Sequence, residues 1–345
     1  MGLLQETCDA IHSRSKEIEQ HIIKNWNDAS DSKQYGRLVN MVAQYGAATN
    51  QKNVTIPKPC MIIASADHGV ADMGVSAYPK ETTVGMTQNY LIPKGAGANS
   101  LANYCGATME VIDMGIDADM SWVPGLRSHK LGMGTKNFVE EPAMTREQAV
   151  EGIEIGIRLV KEKIDEGFNV FLVGEMGISN TTASALMTAK FAGLTAEDAT
   201  GRGTNISDER LKLKQRIVHD VLEKYKNIPK DDAIGILSSV GGFEFTCIVG
   251  VILGAAANNA LVIIDGFNTS ACALVTKTLV PQAMDYVMAS HLSAEKAAKS
   301  SLENLGLEAY VDLGLCLGEA SGGSIQMGML DLAVHMYLAV TGGKA

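Results

Sequence analysis

Between Leu313 and Leu330 the chain carries a single charge, Glu319, inside the segment LCLGEASGGS (315–324). No cation stands near it in sequence, so burial would raise its carboxyl toward the range where protons are taken and returned near neutrality. Gly318, Gly322 and Gly323 would let another molecule approach the backbone closely. Two readings follow: a general base in a dry site, or a water-exposed glutamate at the start of a helix.

Two glycine-rich segments offer a second kind of chemistry. GEMGISNTT (174–182) combines Gly174 and Gly177 with the capping oxygens of Ser179, Asn180, Thr181 and Thr182. Free backbone N–H groups at such a helix start suit a phosphate, although the lysine and spacing of a P-loop are absent; a plain capped helix is the alternative. GRGTNISD (201–208), with Gly201 and Gly203, precedes a helix expected from about Ser207 to Lys226. At about 100° per residue, Leu211, Val218, Val221, Leu222 and Tyr225 share one face of that helix and Lys214 falls inside it, while Lys212 and Arg216 point to water. An inward lysine either snorkels or meets an anion. Two helix starts and one such lysine could hold a phosphate dianion between them.

The loop 66–83 contains Asp67, His68 and Asp72, but no second cluster that a metal would want. Asp67 and His68 are expected to brace the loop by hydrogen bonds, and no metal is expected. Ser76, Tyr78 and Met86 could line a flat, partly apolar pocket. KGAGANS (94–100) has Ser100 where a dinucleotide fingerprint needs its third glycine and follows a helical pattern, so no nicotinamide cofactor or hydride transfer is expected.

These residues need a scaffold. Short apolar runs at Cys60–Ala64, Met109–Met114, Val170–Val173, Ile234–Leu237, Leu261–Ile264 and Tyr286–Ala289 read as strands separated by helix-length segments. That alternation predicts an α/β fold, a parallel sheet with helices on both faces. Ligands of such sheets sit beyond the carboxyl ends of the strands. Residues 1 to about 50 are helical in pattern, with Ile11, Ile18, Ile22 and Ile23 forming a stripe. Thr145 and Gln148 form a capping box before Ile153, Ile157, Val160 and Ile164. Phe245 to Ile264 has no charge, yet Asn258, Asn259 and two glycines favour a buried helix and strand over a membrane span.

Bulk properties narrow the function classes. The 345 residues are 46% hydrophobic with 8 prolines and a formal net charge of −10, a packed globule with no electrostatic footprint for nucleic acid or anionic membrane. The six cysteines are scattered without metal or disulfide spacing, and no secretory leader is read at the N-terminus, which together suggest a cytoplasmic location.

Taken in order, DHGV, GVSAYPKE, GEMGISNTT, GRGTNISDERL, SVGGFE (239–244), DGF (265–267), ASHLSAE (289–295) and LGLCLGE (313–319) resemble nicotinate-nucleotide:dimethylbenzimidazole phosphoribosyltransferases of cobamide lower-ligand assembly, over nearly the whole chain. The resemblance implies a Rossmann-like sheet unit, residues 51–325, plus a small helical unit from 1–50 with 326–345. It implies Glu319 as general base, Glu175 as a second catalytic carboxyl, and Lys214 near the phosphate. The phosphate and nucleotide would then meet Gly174, Gly177, Ser179, Asn180, Thr181, Gly201 and Gly203, and the acceptor would meet Ser76, Tyr78 and Met86. The implied reaction moves phosphoribosyl from nicotinate mononucleotide to an aromatic acceptor, inverting to an α-ribotide and releasing nicotinate. The acceptor is 5,6-dimethylbenzimidazole, another benzimidazole or purine, or a phenol such as p-cresol. Implied partners are a second copy or a paralogous subunit, and the alternative is a non-catalytic paralogous subunit. The chain departs from the family pattern in GEASGGS (318–324), in Phe243 to Thr246, in Lys296 to Ala298 and at Gly85-Met86, several of them near the implied acceptor pocket, which leaves the acceptor open.

Overall fold

The computed structural model describes residues 2–343; Met1, Lys344 and Ala345, outermost in the expected helical unit, lie outside the described residues. Six strands form one sheet: β1 (Pro59–Ala66), β2 (Thr108–Gly115), β3 (Arg127–Ser128), β4 (Val170–Met176), β5 (Leu261–Ile264) and β6 (Val287–Ala289). Their order is β3-β2-β1-β4-β5-β6, and every pairing is parallel. This is the doubly wound order. The chain winds outward from β1 through β2 and β3, then returns to lay β4, β5 and β6 on the other side. β1 and β4 are therefore neighbours at the point where the winding reverses. Their register pairs Ala64 with Glu175 and Ser65 with Met176, so their carboxyl ends open side by side.

β1 is buried along its whole length, and β4 along all but its last residue. Such strands are covered on both faces and read as continuous apolar runs rather than alternation. The same apolarity misleads at Ile234–Leu237, which is not a strand but part of the helix Ala233–Val240. Three apolar residues and a glycine fit either period. What decides is the cap: the Asp232 carboxylate accepts the Gly235 N–H at 2.9 Å and starts a helix. Tyr286 closes a 3-10 turn, Pro281–Tyr286, ahead of β6. β3 is an edge strand of two residues that carries no periodic signal.

The uncharged stretch from Phe245 resolves into the buried helix Phe243–Ala257 and then β5. The helix lies against the helix Arg146–Asp165 with backbones in contact. A Cβ on Gly250 would sit 2.0 Å from the Ile153 carbonyl oxygen, and one on Gly156 would sit 2.2 Å from that of Cys247. No helix among the described residues is long and apolar enough to cross a membrane.

The helices Lys16–Ala29 and Arg37–Ala48 pack with the helix Ser321–Thr341. Trp26 sits at their junction, 5.2 Å from the Tyr35 ring and 5.4 Å from that of Tyr337. The helix Ser321–Thr341 also rests on β4 and β5, so its N-terminus is delivered to the carboxyl edge of the sheet.

Candidate active site

Glu175 is the penultimate residue of β4, a strand three residues longer than the apolar run Val170–Val173 suggests. Its carboxyl is buried. Asn180 donates its amide N–H to Oε2, and Asn268 in turn donates to Asn180 Oδ1 at 3.0 Å. Burial pushes the Glu175 pKa up to about 8, with Glu244 and Asp265 adding in the same direction against the Asn180 and Asn268 hydrogen bonds. After β4 the chain turns through Gly177, whose Cβ would meet the Ala66 carbonyl oxygen at 2.6 Å, and Ser179, left-handed at φ 79°. The helix Asn180–Ala192 follows. Contrary to its expected capping role, Ser179 makes no side-chain cap bond, because the left-handed backbone turns Oγ away.

Glu319 reaches the same place from the far end of the chain. Gly318, Glu319 and Ala320 have φ of 81°, 60° and 59°, a left-handed run before the helix Ser321–Thr341. Non-glycine residues in this region cost on the order of 1–3 kcal/mol each and persist where surroundings over-determine them. Here Gly174 makes room: a Cβ on it would lie 2.7 Å from Ala320 N and 2.9 Å from Glu319 C. A Cβ on Gly318 would lie 3.0 Å from Glu175 Oε1, so the backbone just before Glu319 lies against the Glu175 carboxyl. Glu319 is 7% exposed. Burial raises its pKa, and Asp265 raises it further, while the hydroxyl of buried Tyr90 opposes both. That hydroxyl lies against the carboxyl without regular hydrogen-bond geometry.

The second glycine turn closes on the first. The helix Asp208–Lys224 is capped by Ser207, which accepts the Arg210 N–H. Lys214, one turn and a half along it, is 1% exposed. Its Nζ donates to Thr181 Oγ1 at 2.7 Å and to the Gly201 carbonyl at 3.4 Å. Burial depresses its pKa to about 8, with Glu295 pulling upward. Glu295 Oε1 accepts the Gly203 N–H at 2.7 Å. A Cβ on Gly201 would collide with Glu295 Oε2 at 2.0 Å, and one on Gly203 with Thr181 Oγ1 at 2.7 Å. Both glycines are therefore required by close approach.

A cavity of about 140 Å³ lies between these parts, its wall including Glu175, Thr181, Gly203, Asp265, His291 and Gly318. Ser76, Tyr78 and Met86 are not on that wall, nor are Lys214 and Glu319, whose neighbours Thr181 and Gly318 are. Ser76 stands just behind it, its Oγ 3.2 Å from Thr204 Oγ1; Tyr78 is exposed and Met86 half-buried. Asp265, His291, Glu295 and Asn268 were not singled out from the sequence, although DGF and ASHLSAE directly follow β5 and β6, where ligand-contacting loops belong. Below the floor, His68 Nε2 and Glu244 Oε1 are 2.6 Å apart and fully buried, and Asp67 Oδ2 accepts the Asp117 N–H at 2.8 Å. Among the described residues, no three His, Cys, Asp or Glu side chains gather as a metal site.

Comparison with known proteins gives one consistent result. A family model described as phosphoribosyltransferase matches residues 11–343. The nicotinate-nucleotide–dimethylbenzimidazole phosphoribosyltransferase of Geobacter sulfurreducens is 42% identical over 301 residues, 87% of this chain and 85% of that protein. The enzyme of the same name from Chloroflexus aggregans is 40% identical over 298 residues, 86% and 84% of the two chains. The crystal structure of CobT from Thermus thermophilus superposes with a TM-score of 0.88 at 31% identity, covering 95% of this chain and 99% of that one. With its cavity beyond the carboxyl ends of β4, β5 and β6 and near-complete match to these enzymes, the chain belongs to the nicotinate-nucleotide–dimethylbenzimidazole phosphoribosyltransferase family.

Proposed function

We propose that the chain transfers the phosphoribosyl group of nicotinate mononucleotide to an aromatic lower-ligand base for cobamide synthesis. Lys214, Thr181 and the N–H groups of the two glycine turns other than that of Gly203, which Glu295 accepts, hold the 5′-phosphate. The bond from C1′ to the pyridinium nitrogen breaks with its electron pair going to the ring, so nicotinate leaves neutral at nitrogen and needs no general acid. The acceptor forms its new bond to C1′ on the opposite face, inverting to the α-ribotide, and its proton passes to Glu319. Glu175, whose buried carboxyl is pushed up to about 8, holds its proton at neutral pH, and Glu319, also raised by burial, is the carboxyl assigned to accept the acceptor's proton. The observation that carries this reading is the buried Glu319 carboxyl directly behind Gly318, which lines the cavity together with Glu175, Thr181 and Gly203 from the two glycine turns.

Benzimidazoles, purines and phenols all satisfy this scheme. A phenol, with a pKa of about 10, leans hardest on Glu319. Retention of Glu319, Glu175 and Lys214 favours a catalytic chain over a silent paralogous subunit. Exposed Tyr104, Leu317 and Leu332 lie on or beside the helix Ser321–Thr341, with Leu317 also at the cavity, and suit a second subunit, identical or paralogous. The terminal helices (1–50 with 326–345) act as the small unit beside the 51–325 transferase unit. The test is direct. Purified protein is incubated with nicotinate mononucleotide and a panel of benzimidazoles, purines and phenols, and the products are read by mass spectrometry. An α-ribotide plus free nicotinate is expected; no nicotinate release with any acceptor, alone or with a paralogous partner, sinks the assignment.

A further inference from the structure

Asp265 follows β5 directly and has no part in the chemistry above. Its buried Oδ1 accepts the N–H groups of Gly322 at 2.7 Å and Gly323 at 3.1 Å, in the first turn of the helix Ser321–Thr341. A carboxylate there satisfies helix-start donors that have no partner within the helix. Immediately upstream lie Glu319 and Ala320, both left-handed. Gly174 and Gly322 make that turn possible by leaving room, since a Cβ on Gly322 would meet His291 Nδ1 at 1.9 Å. Room alone does not select a strained turn. Asp265 supplies the attraction, tying the turn to the end of β5.

We propose that Asp265 is the positioning residue for the proton acceptor: clamped on Gly322 and Gly323, it holds the Glu319–Ala320 turn in its seat against Gly174, directly behind the cavity-wall residue Gly318. This rests on Glu319 acting as base. Asp265 also acts through its charge, which raises the proton affinity of Glu319. The other group facing Glu319 is the Tyr90 hydroxyl, from the helix Thr82–Leu91; the Glu175 carboxyl of β4 lies against Gly318. Asp265 itself faces His291, beyond β6, and Glu175.

Two variants separate the effects. Asp265→Asn keeps an oxygen acceptor and loses the charge; Asp265→Ala loses both. Kinetics with nicotinate mononucleotide and 5,6-dimethylbenzimidazole should show kcat of Asp265→Ala reduced about 10²-fold, the scale of a misplaced reacting group. Its KM for the nucleotide should change much less than kcat, because the phosphate contacts at Lys214 and Thr181 are untouched. Asp265→Asn should keep its plateau kcat within about tenfold of the parent, with the acid limb of its pH–rate profile moved to lower pH. A residue that merely packs would not move that limb. Wild-type kcat in Asp265→Ala, or an unmoved limb in Asp265→Asn, overturns the proposal; if Asp265→Ala does not fold, Asp265→Asn decides alone. Glu319→Gln runs alongside. Full turnover by it removes the base and the positioning role together, whereas a dead Glu319→Gln with an unmoved limb in Asp265→Asn removes the positioning role only.

Discussion

The ammonium of Lys214 donates to Thr181 Oγ1 at 2.7 Å, joining the helix that follows β4 to the helix that follows the second glycine turn. The lysine is buried with a depressed pKa, and Glu295, its nearest countercharge, is occupied by the Gly203 N–H. A substrate dianion arriving at this junction would supply the charge that burial denies it.

Lys214→Met should therefore stabilise the ligand-free protein while weakening substrate binding. The native pKa is about 8 against 10.5 for the free side chain. Between those values the unfolded chain holds more protons, so native stability rises with pH across that window, and below pH 8 the full cost of the buried cation is present. Removing it recovers up to about 3 kcal/mol at pH 7. KM for nicotinate mononucleotide should rise about 10–100-fold, the worth of a hydrogen bond to a charged group. Urea unfolding midpoints and steady-state kinetics measure the two effects.

Glu319→Gln should lower kcat by about 10²–10⁴-fold, the usual contribution of proton transfer, with little change in KM for the nucleotide. In the parent enzyme the base works ionised, so the rate falls as pH falls. Burial places that limb above the ordinary carboxylate range. A pH–rate profile locates it.

Glu175→Gln should flatten part of the dependence of stability on pH. The carboxyl titrates at about 8 when folded against 4.5 when free, so between these values the native state holds the extra proton. Its stabilising share is complete below pH 4.5, declines as pH rises, and is gone above 8. The variant should thus gain on the parent steadily from pH 5 to pH 8 in thermal melts. A constant offset over that range would contradict a protonated Glu175.

Gly250→Ala should destabilise, although alanine in a helix normally gains about 1 kcal/mol over glycine. The new Cβ would sit 2.0 Å from the Ile153 carbonyl oxygen, a backbone atom that can move only with its helix. Overpacking of this kind costs about 1–3 kcal/mol, more than propensity returns. Denaturant titration gives the sign.

Much of this architecture was legible because the physics is local. Lys214 shares its helix face with Val218 and Val221, and a helical projection places it inward without coordinates. Glu319 is conspicuous as the one charge in an apolar, glycine-rich segment. The left-handed turn that aims it is not, since nothing about Glu319 or Ala320 favours that conformation; Asp265, from a distant part of the chain, holds it. Tyr90 belongs to the same class, a buried side chain on an unremarkable helix that meets Glu319 only through packing. Ile234–Leu237 failed for a different reason, because a run so short has no measurable period. Asp265 and His291 could have been found by applying the strand-end rule to β5 and β6 as it was applied to β4.

The glutamate on the left-handed turn comes after all six strands in chain order, and its seat against Gly174 exists only once β4 is in place. During synthesis the sheet and both glycine turns leave the ribosome before it does. The cavity is completed by the same late segment, since Cys316, Leu317 and Gly318 close its wall, so the pocket between the two glycine turns is whole only when the last helix has docked.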